Sequence, residues 1–171
     1  MSMHPQKNIK YFWEDLQVGH TLEIGSTTVD RDEVIEFAGK YDPQPFHLDE
    51  EAAAKSMFGK LSASGWHTCA MAMGMMVRGF LHESSSLGSP GLESVKWLKP
   101  VYPGDTLTLR QRITESRPMK SRPDVGLTRT LWEVYNQDGE QVLMMDGYGM
   151  FRRRTPGAAE DMSAAPAEGS R

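Results

Sequence analysis

Asp42 and His47 stand five positions apart in the run Tyr41-Asp42-Pro43-Gln44-Pro45-Phe46-His47, a carboxylate and an imidazole joined by a segment with two prolines. A carboxylate accepts a proton, and an imidazole near neutral pH can accept or donate one. Two such groups turned toward a common point can hold one water molecule and move its protons. Prolines 43 and 45 remove backbone donors and fix φ, so the spacing predicts a stiff loop and no regular helix. On spacing alone, an Asp–His hydrogen bond that only fixes a turn is the commoner arrangement. Asp42, His47 and Asp49 also offer metal-ligand atoms, but no compact set with zinc spacing accompanies them, and no metal is expected.

The second chemical feature is the entry to the most apolar stretch of the chain, Ser62-Ala63-Ser64-Gly65 followed by Trp66 to Leu81. Its apolar residues fall nearly all around a helix, which predicts a buried helix about 25 Å long. The first amides of a helix have no intrahelical acceptor and can point at a ligand. Glycine at 65 permits close backbone approach to a ligand, and equally a sharp entry into the helix. Ser64 suits the capping position, with ligand contact as the alternative. His67 reads as a packed core histidine or a ligand contact, and the methionines as core filling.

These residues need elements to position them. Asp30 is placed to cap a helix with Val34, Phe37 and Ala38 on its apolar face, which Gly39 ends and which feeds the Asp42–His47 loop. Asp49 caps a short helix over residues 50–58, which Gly59 terminates. A first strand spans residues 21–29, interrupted at Gly25, and four more candidates cover 92–98, 105–115, 127–137 and 141–153, with Asp138-Gly139 as a two-residue hairpin signal. Helices early and strands late give an α+β domain with a mainly antiparallel sheet.

Composition bounds the function. The 171 residues fit one domain with a single core, bracketed by a flexible leader over 1–10 and a disordered tail over 155–171. A formal charge of -4 argues against nucleic acid as a partner. No stretch is long and apolar enough to insert in a membrane. The lone Cys69 and the absence of an apolar leader favour the cytoplasm. No Gly-rich phosphate loop is present.

The Asp-x-x-x-x-His segment, Ser64-Gly65 opening the apolar helix, and the later run Leu98-Lys99-Pro100-Val101-Tyr102-Pro103-Gly104-Asp105 together resemble the MaoC-like hydratases. The resemblance covers roughly residues 11–154. It departs from the usual family pattern at Gln44, where Asn is usual, and at Ser64, where His often precedes the glycine. It implies a single hotdog domain, a curved antiparallel sheet wrapped around a long central apolar helix. It implies (R)-specific hydration of a trans-2-enoyl thioester, or the reverse dehydration of a 3-hydroxyacyl thioester. Asp42 would be the base and His47 the proton donor, the Gly65 amide would hold the carbonyl oxygen, and Ser64 would lie beside it. No cofactor is implied. The expected partners are an acyl-CoA or acyl carrier protein thioester and a second copy of the chain, as a homodimer or higher homo-oligomer. Two other readings remain open on this fold, an acyl-CoA thioesterase and a non-catalytic thioester-binding or assembly subunit.

Overall fold

The protein is described over residues 8–157 of a computed structural model. The expected leader and tail lie largely outside those residues. At the inner boundaries the backbone is tied down: the Lys10 amide donates to Glu83, and the Gly157 amide to Pro123.

A single sheet of six antiparallel strands forms the framework: β1 (Thr21–Thr28), β2 (Ser86–Gly88), β3 (Leu92–Trp97), β4 (Thr106–Met119), β5 (Arg122–Tyr135) and β6 (Gln141–Arg152). Their order is β1-β4-β5-β6, with β2 and β3 both pairing the far side of β6. The long helix α4 (Gly65–Gly79) lies against one face of it. The expected α+β fold with a central helix is therefore present. Alternation along β4 turns Leu107, Leu109, Gln111 and Ile113 inward and leaves Arg110 and Arg112 in solvent. Leu107 and Leu109 are fully buried beside Val134, Val142 and Leu143, facing Ala72, Met75 and Met76 of α4. Each such aliphatic side chain contributes roughly 1.5–3 kcal/mol of burial.

The strand ends differ from expectation at both hairpins. β4 and β5 run on to a tight turn at Lys120–Ser121, where the strand candidates ended at 115 and resumed at 127, because Pro118 is accommodated beside a register shift at the end of the ladder. Between β5 and β6 the expected two-residue turn is a five-residue loop. There the Asn136 side chain accepts from the amides of Asp138 and Glu140, while Gly139 takes φ +74°. The irregularity anticipated at Gly25 is a register shift between Glu23 and Gly25.

The helices before α4 are α1 (Arg31–Tyr41), the single turn α2 (Pro45–Leu48) and α3 (Glu50–Ala54). Asp30 caps α1 by accepting from the amides of Asp32 and Glu33, both at 2.9 Å, and Asp49 caps α3 through the Ala52 amide. Three expectations are corrected here. Gly39 does not end α1, since helical bonding continues until the Asp42 amide reaches Ala38 O. α3 stops at Ala54 rather than Phe58, and the Lys55–Lys60 stretch is turns. The Pro43–His47 segment is not wholly loop: Pro45 occupies the first position of α2, where its missing N–H costs nothing.

Candidate active site

Pro43 places Asp42. The residue before a proline is driven out of the helical region, and Asp42, at φ -151° and ψ 65°, is where α1 gives way. Its side chain turns inward beneath the next helical turn. Two residues on, Gln44 caps α2 from its backbone, and the His47 amide closes that turn onto Gln44 O at 2.9 Å. This turn carries the His47 ring inward to 5% exposure, between Phe46 and Phe58.

The imidazole is oriented by a buried backbone carbonyl. His47 Nδ1 lies 2.7 Å from Ser62 O, and since a carbonyl only accepts, Nδ1 carries a proton and donates. That leaves Nε2 as the nitrogen available for chemistry, 3.4 Å from Asp42 Oδ2. Ser62 belongs to the extended segment Leu61 to Ser64, all of it buried and tied to the sheet side through Ala63 N to Val101 O.

Asp42 is held by two donors. Ser64 Oγ donates to Oδ2 and Gln44 Nε2 to Oδ1, each at 2.7 Å. Burial pushes the carboxyl pKa up, but the bonds from Ser64 and Gln44 and the neighbouring His47 outweigh it, so the group sits below its ordinary value. Ser64 also caps α4 by accepting from the Trp66 amide at 3.3 Å. The same hydroxyl thus starts the helix and steadies the carboxylate. Gly65, the first residue of α4, has no intrahelical acceptor for its amide.

Asp42, His47 and Gly65 line one cavity of about 420 Å³, with Met57, Trp97 and Leu98 among its walls. Trp97 lies across Gly65 so closely that a Cβ at position 65 would come 2.6 Å from the indole nitrogen. Only glycine leaves room there. This arrangement offers an ionised carboxylate and an imidazole nitrogen on one side and a free helix amide on the other, all open to one small ligand.

With the geometry in place, comparison with known proteins decides the family. Residues 16–134 match the model of the family described as MaoC like domain. The chain belongs to the MaoC-like family. A solved MaoC-like dehydratase from Rhodospirillum rubrum superposes with a TM-score of 0.80 at 39% identity, covering 85% of this chain and 99% of that one. The 3-hydroxybutyryl-CoA dehydratase of Methylorubrum extorquens is 28% identical over 146 residues, 82% of this chain and 87% of that protein. The (R)-specific enoyl-CoA hydratase of Rhodospirillum rubrum is 27% identical over 148 residues, 82% of this chain and 96% of that protein. The sheet around a central helix is accordingly the hotdog fold.

The MaoC-like chain brings all four residues singled out in the sequence, Asp42, His47, Ser64 and Gly65, into this one place. Three contributors escaped notice as such. Ser62 acts through its carbonyl, which has no sequence signature. Gln44 stood out only as a departure from the family pattern, yet it is a direct partner of Asp42. Trp97 is brought over Gly65 by a strand distant in sequence. His67 goes to the core, 5% exposed, stacked on Phe37 at 4.7 Å and lining a different hollow from Asp42. Its pKa is lowered by burial, partly offset by Glu33.

Proposed function

We propose that this MaoC-like protein is a hydro-lyase that adds water to a trans-2-enoyl thioester with (R) stereochemistry, or removes it from the 3-hydroxyacyl thioester. The observation that carries this reading is Asp42 Oδ2 and His47 Nε2 facing each other at 3.4 Å in the cavity where α4 begins. The names of the family's hydratase and dehydratase relatives support the same reaction class.

In the hydration direction the thioester carbonyl oxygen lies against the Gly65 amide, where negative charge develops as water adds to C3. Water lies on the cavity side of Asp42 Oδ2 and His47 Nε2, within hydrogen-bond reach of both. Asp42 takes a proton from it as the oxygen bonds to C3, and an imidazolium at His47 delivers its Nε2 proton to C2. The products are the 3-hydroxyacyl thioester, a protonated Asp42 and a neutral His47. Passage of the proton from Asp42 to Nε2 restores the starting pair. The Ser62 carbonyl keeps Nε2, and not Nδ1, as the working nitrogen throughout.

Gln44 and Ser64, the two departures from the usual pattern, both donate to Asp42 and favour a working carboxylate over a drifted site. Thioester hydrolysis on a hotdog fold generally needs an acid on or near the central helix, and α4 contains no Asp or Glu. Replacement of Asp42 by Asn or His47 by Ala is expected to lower turnover of an enoyl-CoA by ~10²–10⁴-fold with folding retained. Near-wild-type turnover in both variants would overturn the assignment.

A further inference from the structure

One helical turn beyond Gly65, a second cavity of about 370 Å³ opens between α4 and the sheet. Cys69, Met73 and Met76 form its helix side, and Gln111, Trp132 and Met145 its sheet side. The three sheet residues stand abreast across three strands, Gln111 opposite Trp132 and Trp132 opposite Met145. The lining is apolar, with flexible methionines that can adapt to a chain.

Two polar groups do not fit an apolar cavity. Gln111 is 2% exposed and its Nε2 meets no partner among the described residues; the Trp132 Nε1 is likewise buried and unpartnered. Buried donors are almost always bonded, so such a pair points to an acceptor supplied from outside the chain. Rotation of the Gln111 amide exchanges its donor for an acceptor at the same point. An indole N–H can only donate, and Trp132 is therefore the fixed donor.

Trp97 stands on the Asp42 side of the boundary between the two cavities. Its ring borders the Asp42 cavity, and the two cavities adjoin along α4, where Thr68 borders the first and the next residue, Cys69, borders the second.

We propose that the second cavity receives the acyl chain of the thioester and that Trp132 and Gln111 bind an oxygen carried on that chain, distant from the thioester. This deepens the hydratase reading and rests on it for the direction from which the chain enters. The substrate class is an oxygen-substituted enoyl thioester. A plain alkyl chain of equal length fills the cavity but leaves both donors unpaired, and sites built to bond a polar group discriminate strongly against analogues lacking it.

The test compares medium-chain trans-2-enoyl-CoA thioesters with analogues in which an ether oxygen replaces one methylene, scanned along the distal half of the chain. kcat/KM is measured for each on the wild type, Trp132→Phe and Gln111→Leu. The wild type is expected to favour one ether position over the alkyl chain by at least about tenfold, and the ratio within each variant to fall toward one. Saturated acyl-CoA analogues of the same two kinds are titrated by calorimetry, which reads binding without turnover. Equal kcat/KM and equal affinity of the wild type for ether and alkyl chains would overturn the proposal, as would a preference that survives both substitutions. Hydration of crotonyl-CoA with no ether preference sinks the cavity assignment alone. Trp132-dependent binding of the ether analogue without turnover of any enoyl-CoA upholds the cavity and sinks the reaction.

Discussion

At the residue scale the account turns on how Asp42 is kept ionised. A carboxylate with 19% of its side chain exposed would titrate high if burial acted alone, and the donors from Ser64 and Gln44 reverse that. Because its folded pKa lies below the ordinary carboxylate value, Asp42 contributes stability that is present above that value and lost as pH falls through the lowered one. Activity that needs the ionised form fails in the same direction. Ser64→Ala removes one donor, so the carboxyl pKa rises and the acid limb of the kcat/KM profile moves to higher pH. An acid limb that stays in place in Ser64→Ala would show that another group sets it. The substitution also removes the α4 cap, at a cost of about 1 kcal/mol, which thermal unfolding measures separately. At this scale the Asp42 and His47 side chains were legible from type and spacing. The carbonyl that orients His47 was not, because every residue has one and only the fold selects Ser62.

At the element scale, α1 and α4 do the positioning, and each obeys a local rule that the sequence displays unevenly. Pro43 ends α1 more decisively than Gly39, since a helix tolerates glycine at a cost of about 1 kcal/mol whereas the residue before proline is sterically driven out. Reading the first glycine as the stop was the error. The strand regions were legible from alternation and β-branched residues, but the three-residue β2 was missed because Ser86-Leu87-Gly88 is too short to show a period. The C-terminus of α4 is fixed by contact: a Cβ on Gly79 would run into the Ile24 carbonyl and side chain of β1. A backbone atom cannot step aside as a flexible side chain can. Gly79→Ala is therefore expected to destabilise by about 1–3 kcal/mol despite alanine's better helix propensity. Denaturant unfolding with unchanged or increased stability would contradict that packing.

At the scale of the whole molecule, the apolar helix was expected to be buried all round, and it is not. Trp66 is 59% and Met73 51% exposed, and beside them lie the exposed Leu92, Trp97 and Leu98 at the β3 side of the sheet. The two sheet edges differ accordingly: β1 shows solvent mainly threonines and Glu23, whereas β3 carries Leu92 and Trp97. An edge strand with an apolar surround calls for cover. We propose a homodimer joined through β3, which would cover the exposed indoles of Trp66 and Trp97, whose ring centroids stand 5.2 Å apart. Light scattering after size exclusion is expected to give twice the chain mass at micromolar concentration, and a stable monomer would refute the arrangement. No sequence period announces such a surface, because exposure of a tryptophan is a property of the assembled sheet and helix.

The central claim, that Asp42 and His47 move the protons of a water added across an enoyl thioester, is tested most directly by one assay. The purified protein is mixed with trans-2-enoyl-CoA substrates from four-carbon to long and branched chains, and loss of the conjugated enoyl absorbance is followed beside the Asp42→Asn variant. The account predicts turnover to the (R)-3-hydroxyacyl-CoA, reduced ~10²–10⁴-fold in the variant. Folded protein that hydrates none of these substrates, or an Asp42→Asn variant as active as the wild type, would contradict it.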